Sequence, residues 1–453
     1  MTLGFGTDGV RGIANAELTP ELGLAFARAF VSVVACDDRA RILVARDTRV
    51  SGDMLEAAVV AGICSAGAEA VLCGVAPTPA LCWLAPLAGA AGGIMISASH
   101  NPFEYNGLKF VNRAGDKLSE AEEGTIESRA YEAPDSRQTS PVGRACRAEG
   151  LVGEYRERLL TFAPGRPLEG MRLLVDCAHG ALTSLAPVVL AQLGATVVPL
   201  NCSPTGTNIN EGGAVSAHRL AREVQEQAAV AGLAFDGDGD RLVMADERGA
   251  LIDGDGILGI WADEQARRGE LANDLVVGTV LTNGGLERFL NSLGCRLLRA
   301  PVGDRHVAAA MARSGAVLGG ETCGHVIYAP HLCSSDALLT AIAILRIMAR
   351  TGRPLSALGA LIEKRPQVAL VLPTAFGREL LGDPEIGLAV REAERALGIS
   401  GRVIVRPSGT EPAIRITCEC DDERQARAVA EELASVVAQC AEEREGARAD
   451  IAA

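Results

Sequence analysis

Two serines lie on a polar turn directly after a short apolar run, within Gly92–Lys109, GGIMISASHNPFEYNGLK. Ser97 and Ser99 stand there beside His100 and Asn101, and a lysine ends the stretch. A serine hydroxyl becomes a nucleophile when a base or a metal activates it, so this composition indicates covalent phosphoryl or acyl transfer. A strand end whose Ser and Asn side chains bind nearby backbone groups is the alternative. The residues alone do not choose between the two serines.

Three aspartates follow a second apolar run, Leu233–Phe235, at alternate positions with glycines between them. A tight loop of this kind can turn the carboxylates of Asp236, Asp238 and Asp240 onto one hard cation. An acidic surface turn is the alternative, but the even spacing after an apolar run favours a metal site. An EF-hand does not fit, because Arg241 stands where that loop requires glycine. The Asp-x-Asp nucleophile motif of phosphatases is also only a near match.

A glycine-rich loop, Gly319–His325, carries a carboxylate, two small side chains and an imidazole. Glu321 with small polar neighbours suits sugar hydroxyls, and His325 suits proton transfer or contact with phosphate. A structural histidine is an equally good interpretation of the loop by itself. Cys323 and His325 raise the question of zinc, but no second pair appears at ligand spacing.

Turns that contain arginine indicate phosphate binding. Arg406–Pro412 reads RPSGTEP and Arg415 follows on the next strand, so hydroxyls, loop amides and two guanidinium groups lie close in sequence. That mixture suits phosphate oxygens, although an ordinary turn between strands is the alternative. Arg11 lies on a further glycine-rich turn. Only three of the 43 basic residues are lysines, so Lys109 beside the serines indicates a need for a titratable ammonium.

Composition limits the class of protein. The chain has 453 residues, 48% of them hydrophobic and 22% charged, which indicates about three domains with large cores and excludes disorder. A net charge of −14 argues against nucleic acid or an anionic membrane as partner. Glu69–His100 has no charge between its ends, but Pro77, Pro79 and Pro86 exclude a membrane-spanning helix. Scattered cysteines and no signal-peptide pattern predict reduced thiols in the cytoplasm.

The elements that position these loops repeat one pattern. A strand, a helix closed by glycine and a second strand occur in 42–73, 172–200 and 275–298, as in βαβ units. Each repeat leads, after more helix, to a short strand followed by one of the loops above. We therefore predict an α/β protein with three similar α/β domains with mixed sheets, plus a C-terminal α+β domain, around a central cleft. The predicted boundaries are 1–152 for the serine loop, 153–248 for the metal loop, 249–364 for the sugar loop and 365–445 for the phosphate-binding domain.

Taken together, the loops resemble the α-D-phosphohexomutase superfamily, and within it the bacterial phosphoglucosamine mutases. The similarity covers nearly the whole chain and includes GTDGVRG, ISASHNP, DGDGDR, GETCGH and RPSGTEP in the right order. The stretches PTGTNINEGG, ALIDGDGIL, VGDRHV and PQVALV point to the glucosamine branch.

The resemblance implies a phosphoserine enzyme with Ser99, rather than Ser97, as the phosphorylated residue. It implies a catalytic group made of Ser99, Lys109, Arg11, His100 and His325, in which Lys109 is the candidate general acid or base. It implies that Mg²⁺ is bound by Asp236, Asp238, Asp240 and a phosphate oxygen on Ser99. Glu321 and Cys323 would contact the sugar. The phosphate that does not react would be bound by Arg406, Ser408, Gly409, Thr410 and Arg415.

The implied reaction interconverts glucosamine 6-phosphate and glucosamine 1-phosphate, for cell-wall precursors, through a phosphoserine enzyme and a 1,6-bisphosphate intermediate. Glucosamine 1,6-bisphosphate or glucose 1,6-bisphosphate would serve as activator. The family's sugar loop usually reads Glu-x-Ser, and here Cys323 replaces that serine. Because a thiol is a weaker hydrogen-bonding group than a hydroxyl, a phosphomannomutase/phosphoglucomutase of the same superfamily stays an alternative. A sugar-phosphate-binding protein without turnover is a third. The substrate is the only expected partner apart from a second copy, since members of the superfamily are often dimers.

Overall fold

The computed structural model describes residues 3–6, 8–35, 40–132, 141–148, 150–398, 401–407 and 412–452. The chain divides into two compact units, Met1–Thr279 with Ser292–Leu361, and Val280–Asn291 with Ile362–Ala453. No helix among the described residues is long and apolar enough to cross a membrane.

The first unit opens with a seven-stranded sheet in the order β1-β2-β6-β5-β3-β4-β7. The sheet is mixed, because β3 is parallel to β4 and β5 whereas β6 is antiparallel to β5. All five residues of β5 are buried, as expected for an interior strand. The elements are β1 (Phe5–Gly6), β2 (Gly9–Ile13), α1 (Pro20–Val34), β3 (Arg41–Arg46), α2 (Gly52–Ser65), β4 (Glu69–Val75), α3 (Thr78–Leu87), β5 (Gly92–Ile96), β6 (Tyr105–Asn112), α4 (Glu120–Tyr131) and β7 (Ala145–Arg147).

The second sheet has the order β12-β11-β10-β8-β9. Its strand β10 is buried throughout, parallel to β8 and antiparallel to β11. The elements are α5 (Leu151–Phe162), β8 (Arg172–Asp176), α6 (Ala186–Gln192), β9 (Thr196–Leu200), a 3-10 helix (Gly213–Ser216), α7 (His218–Glu226), β10 (Ala231–Phe235), β11 (Leu242–Asp246) and β12 (Leu251–Ile252).

The third sheet has the order β14-β13-β15-β16, with β15 parallel to β13 and antiparallel to β16. The remaining elements of the first unit are α8 (Gly254–Arg267), a 3-10 helix (Ala272–Asp274), β13 (Leu275–Thr279), β14 (Arg296–Ala300), α10 (Asp304–Ser314), β15 (Leu318–Gly320), β16 (Val326–Tyr328), α11 (Ala337–Thr351) and α12 (Leu355–Gly359).

The three sheets share the arrangement that places the loops. In each, the buried strand β5, β10 or β15 lies beside a parallel neighbour and turns back into an antiparallel strand. The serine, aspartate and sugar loops follow the carboxyl ends of these three strands, where open α/β sheets bind their ligands. The prediction of three similar α/β domains with mixed sheets is confirmed, whereas the exact domain boundaries stay a prediction.

The second unit contains a three-stranded antiparallel sheet in the order β17-β19-β18, which confirms the predicted small C-terminal domain. The sequence predicts a final helix over 423–441, and helix α15 continues past that range to Ala452. The additional residues are rich in Glu, Arg and Ala, which are good helix formers. The elements are α9 (Gly284–Ser292), which begins in this unit, β17 (Gln367–Pro373), α13 (Gly377–Leu380), α14 (Pro384–Leu397), β18 (Arg402–Pro407), β19 (Ala413–Glu419) and α15 (Glu423–Ala452).

A buried hydrogen bond joins two helices of the first unit. Tyr155 on α5 donates its hydroxyl to Asp336 Oδ2 over 2.7 Å, and Asp336 Oδ1 accepts from the backbone N–H of Leu339 to cap α11. Tyr155 has no exposed surface and Asp336 almost none. Burial raises the pKa of Asp336 to about 6, so the carboxylate depends on these donors.

We expect Tyr155→Phe to lower the free energy of unfolding by about 1–3 kcal/mol, because a buried acceptor loses its donor. Chemical denaturation followed by circular dichroism measures this change. Tyr131→Phe is the matched control, since the hydroxyl of Tyr131 binds Leu3 O from a residue that is 41% exposed. Equal free energies of unfolding for the two variants would contradict a stabilising role of the Tyr155–Asp336 hydrogen bond.

Candidate active site

The serine loop begins where two neighbouring parallel strands end. The register of β3 and β5 pairs Arg46 with Ile96, so the next residues, Asp47 and Ser97, lie side by side. Ser97 Oγ donates a hydrogen bond to Asp47 Oδ2 over 2.6 Å, and the backbone N–H of Ser99 donates to Ser97 Oγ over 2.9 Å. The hydroxyl of Ser97 therefore holds the turn together.

Ser99 instead presents its hydroxyl to the second sheet. Its backbone has a φ of 50°, a conformation that residues other than glycine adopt only in special turns. Ser99 Oγ donates to Asp236 Oδ2 over 2.7 Å, and Ser99 is 1% exposed. The serine that the family resemblance favours is thus the one that meets the aspartate loop.

A buried arginine holds the serine loop in this conformation. Arg49 Nε donates to Asp47 Oδ2 over 2.9 Å, and neither side chain is exposed. The guanidinium also donates to four backbone carbonyls of the loop, those of Ser99, Asn101, Pro102 and Tyr105. Asn210 Nδ2 adds hydrogen bonds to two of them, Ser99 O at 2.8 Å and Asn101 O at 2.9 Å.

Sequence reasoning missed Arg49 and Asn210 as positioning residues. The stretch 46–52 contains Arg49 on a glycine-containing turn, a pattern that is not specific for any role. Asn210 lies in PTGTNINEGG, which indicated only the similarity to phosphoglucosamine mutases. An arginine two residues after a strand-ending aspartate was the available signal. It is weak, because only the folded chain places its guanidinium under a loop fifty residues later.

The three predicted aspartates lie together behind Ser99. Asp236, Asp238 and Asp240 are buried, and one carboxylate oxygen from each lies within 4.8 Å of the others. Burial, together with the charges of Asp240 and Asp238, raises the pKa of Asp236 to about 8. Asp238 Oδ1 is buried without a hydrogen-bond partner. Crowded oxygen ligands with an unsatisfied lone pair fit a hard divalent cation.

Lys109 joins the aspartates to the first sheet. It lies on β6 at 5% exposure, and its Nζ is 2.7 Å from both Asp238 Oδ2 and Asp8 Oδ2, and 3.2 Å from Asp240 Oδ2. Burial opposes its charge, but Asp238, Asp8 and Asp240 outweigh burial and hold the pKa of Lys109 well above its usual value. The side chain is an ammonium in this arrangement.

Sequence reasoning also missed a second lysine in this charge network. Lys117 Nζ lies 2.7 Å from Asp8 Oδ1 and 2.6 Å from Asp304 Oδ1. Asp8 therefore bridges two ammonium groups, and Lys117 connects the first sheet to the start of α10. Nothing in the sequence around Lys117 indicated this role, because its partners are far away along the chain.

The sugar loop meets the aspartate loop through His325. His325 Nε2 lies 3.1 Å from Asp240 Oδ1 and accepts a hydrogen bond from Arg241 Nε over 3.0 Å. On the other side of the ring, Nδ1 lies 2.9 Å from Glu321 Oε2 and 3.7 Å from Cys323 Sγ. Glu321 and His325 are buried whereas Cys323 is exposed.

Arg11 and His100 border the serine loop. Arg11 Nη2 lies 2.5 Å from Asp8 Oδ2, and Nη1 donates to Ala98 O over 3.4 Å. Burial, with the charges of Arg241 and Arg11, lowers the pKa of His100 to about 4. Within the first unit, the fold therefore brings together the predicted residues Ser99, Lys109, Arg11, His100, His325, Glu321, Cys323 and the three aspartates.

The predicted phosphate-binding residues belong to the second unit. Arg406 on β18 and Arg415 on β19 are directly opposite partners in the antiparallel register, so both side chains leave the same face of the sheet. The predicted residues Ser408, Gly409 and Thr410 lie outside the described residues.

The chain matches the Phosphoglucomutase/phosphomannomutase family along its length. The α/β/α domains I, II and III match residues 2–137, 155–249 and 253–365, and the C-terminal domain matches residues 362–436. The chain belongs to this family, and so to the α-D-phosphohexomutase superfamily. It is an enzyme, an intramolecular phosphotransferase.

Curated relatives are similar over their full lengths. A phosphoglucosamine mutase from Desulforudis audaxviator is 44% identical over 96% of this chain and 97% of its own. A phosphoglucosamine mutase from Saccharopolyspora erythraea is 45% identical over 96% and 98%. Among solved structures, a phosphoglucomutase/phosphomannomutase family protein from Burkholderia thailandensis has a TM-score of 0.81 at 25% identity, covering 95% of this chain and 96% of that one.

We expect Arg49→Met to destabilise the first unit by about 3–5 kcal/mol, because it leaves the carboxylate of Asp47 buried without its partner. Thermal and chemical unfolding measure this loss. Arg166→Ala is the control, since the Arg166–Glu169 pair is 61% and 68% exposed and such pairs contribute at most about 1 kcal/mol. Arg49→Met with unchanged stability would show that Arg49 does not support the loop.

Proposed function

We propose that this chain interconverts glucosamine 6-phosphate and glucosamine 1-phosphate, with Ser99 carrying the phosphoryl group between the two ends of the sugar. Phosphoglucosamine mutase is the activity named for consistent full-length relatives at 41–45% identity, and it is the function of this chain. The roles of individual residues are our assignment. The observation that carries it is the 2.7 Å hydrogen bond from Ser99 Oγ to Asp236 Oδ2, which joins the serine loop to the aspartate loop.

Two transfers through one serine account for the reaction. In the first, the bond between phosphorus and phosphoserine oxygen breaks as O1 of glucosamine 6-phosphate bonds to phosphorus, which leaves a 1,6-bisphosphate and free Ser99. The intermediate reverses its orientation. In the second, Ser99 Oγ loses its proton and bonds to the phosphorus on O6. The bond between that phosphorus and O6 breaks, and O6 takes up a proton as glucosamine 1-phosphate is released. Asp236 orients the hydroxyl for this step.

The charged side chains around Ser99 suit a phosphoryl group in transfer. Such transfers need positioning and positive charge more than covalent help. Arg11 and Arg241 supply fixed positive charge, while the low pKa of His100 keeps that ring neutral. Lys109 adds an ammonium, and it is our candidate for the general acid or base that donates a proton to the sugar oxygen and takes it back in the reverse transfer.

The aspartate loop is the proposed cofactor site. Asp236, Asp238 and Asp240 would hold Mg²⁺ together with a phosphate oxygen on Ser99. The proximity of three buried carboxylates and the unpartnered Asp238 Oδ1 support this assignment. When bound, Mg²⁺ neutralises charge on the phosphate and polarises it.

The remaining residues would select the substrate. Glu321 Oε1 accepts from the backbone N–H of Gly303 over 2.8 Å, which orients the carboxylate for sugar hydroxyls beside Cys323. Arg406 and Arg415 would bind the unreactive phosphate, because two guanidinium groups on one face of the sheet match the geometry of phosphate oxygens. A glucosamine or glucose 1,6-bisphosphate would prime Ser99. A homodimer and a cytoplasmic location stay expectations from the resemblance and the composition.

A second candidate follows from Cys323. A sugar loop with a thiol where the family usually has a hydroxyl favours altered selection among hexoses. The second candidate is that the same site also turns over mannose and glucose phosphates, as a phosphomannomutase/phosphoglucomutase does. The two candidates share every proposed catalytic step and differ only in the preferred sugar.

We expect Ser99→Ala to lower turnover by at least about 10⁴-fold, because the group that accepts phosphate is gone, and to leave the fold intact. Coupled turnover assays and intact-protein mass after exposure to glucose 1,6-bisphosphate measure both effects. Ser97→Ala is the matched control and should still take up one phosphoryl group. Phosphorylation of the Ser99→Ala variant together with normal turnover would show that Ser99 is not the residue that carries the phosphoryl group.

We expect glucosamine 1-phosphate to be a better substrate than glucose 1-phosphate or mannose 1-phosphate when the three are compared with Mg²⁺ and a bisphosphate. Cys323→Ser should shift the ratios of kcat/KM among the sugars by about 10-fold, the scale of one altered contact. Cys333→Ser, on a neighbouring stretch, should leave the ratios alone. A higher kcat/KM for glucose 1-phosphate or mannose 1-phosphate than for glucosamine 1-phosphate in the unaltered enzyme would favour the second candidate.

A further inference from the structure

We propose that Glu321, Cys323 and His325, called here the Glu-Cys-His cluster, form a second cation site that takes Zn²⁺ or a similarly thiophilic divalent ion. One ligand atom from each of the three lies within 4.8 Å of the others. Carboxylate, thiolate and imidazole are the three side-chain types that bind zinc. The cluster is separate from the aspartate loop, in which every donor is a carboxylate oxygen.

The distances in the cluster are close to those that a zinc ion requires. Nδ1 of His325 lies 2.9 Å from Glu321 Oε2 and 3.7 Å from Cys323 Sγ. In a tetrahedral site with bonds of about 2.0–2.3 Å, neighbouring ligands are about 3.3–3.6 Å apart. The two separations from Nδ1 therefore lie within a few tenths of an ångström of these values, and the third, between Glu321 and Cys323, is within 4.8 Å.

The surrounding structure already orients two of the ligands. Glu321 Oε1 is occupied by the backbone N–H of Gly303, which leaves Oε2 directed at the cluster. The other ring nitrogen of His325, Nε2, lies 3.1 Å from Asp240 Oδ1. With Nδ1 bound to the ion, Nε2 would carry the ring proton and donate it to Asp240, in place of the hydrogen bond that Nε2 accepts from Arg241 Nε in this structure. A carboxylate behind a ligating histidine is the usual support of a zinc site.

The backbone of the loop brings the ligands to one point. Glu321 N donates to His325 O over 2.8 Å, and Gly324 N donates to Glu321 O over 3.0 Å. These bonds close a turn in which alternate residues carry the three ligands. The sequence showed no second Cys/His pair, but the structure supplies a carboxylate as the third donor instead.

The burial of the three ligands determines how an ion reaches the cluster, and their donor atoms determine which ion binds. Glu321 and His325 are 6% and 7% exposed, whereas Cys323 is exposed, so an ion reaches the cluster from solvent and keeps an open fourth position. Sulfur selects Zn²⁺ over Mg²⁺, whose preferred ligands are oxygens. The two sites therefore discriminate between cations at neighbouring positions.

Zinc in the cluster would occupy the side chains proposed to contact the sugar. This consequence rests on the proposed function and predicts inhibition that competes with the hexosamine phosphate. The binding itself does not depend on that function, so the experiments below measure binding first and inhibition separately.

The first experiment adds Co²⁺ to the full chain in the presence of saturating Mg²⁺. Bound through a thiolate, Co²⁺ gains a charge-transfer absorption in the near ultraviolet that oxygen ligands do not produce. We expect this band at one ion per chain, its loss in Cys323→Ser, and its retention in Cys333→Ser, which alters another exposed thiol of the described chain. Absence of the band, or its persistence in Cys323→Ser, would overturn the proposal.

The second experiment measures Zn²⁺ affinity by competition with a chromophoric chelator. We expect Cys323→Ser and His325→Gln each to weaken binding by more than the roughly 10–100-fold typical of losing an outer-shell partner, with circular dichroism confirming the fold. Unchanged affinity in both would refute the site. Tight binding without competition against the sugar phosphate would retain the zinc site but contradict the proposed sugar contacts.

Discussion

Three buried carboxylates within 4.8 Å of one another are the constraint on which the rest of the first unit's site depends. Like charges repel strongly away from water, and leaving such a charge uncompensated costs several kcal/mol. Lys109 on β6 and Arg241 next to Asp240 bring positive charge to this group, His325 contacts Asp240, and the unpartnered Asp238 Oδ1 leaves room for a further positive charge. A site balanced in this way is also suited to a dianionic phosphoryl group.

A second buried charge pair fixes the geometry of the nucleophile. Asp47 and Arg49 have no exposed surface, and their pairing is useful chiefly because the guanidinium also binds four carbonyls of the serine loop. The loop needs those donors, since three of the carbonyls, those of Ser99, Asn101 and Pro102, lie between β5 and β6 and belong to neither strand. Stability and the direction of the reactive hydroxyl thus depend on the same arginine.

Repetition of one α/β architecture lets the loops specialise. The serine loop holds a nucleophile, the aspartate loop holds oxygen ligands, and the sugar loop mixes carboxylate, thiol and imidazole. His325 contacts both of the latter loops, with Asp240 on one ring nitrogen and Glu321 on the other. The imidazole ring of His325 therefore contacts both the aspartate loop, whose side-chain donors are carboxylate oxygens, and the sugar loop, whose donors include the thiol of Cys323.

The strand ends, the three repeats, the family and the loops that carry chemistry could all be predicted from the amino-acid sequence, because strands, turns and ligand spacing depend on neighbouring residues. The long-range contacts could not: Ser97 binds Asp47 while Ser99 binds Asp236, and Arg49 supports the serine loop. In the same way, Asp8 links Lys109 to Lys117 only in the folded chain. Those contacts join residues far apart in the chain, and their charges acquire partners only when folding removes water and brings the sheets together.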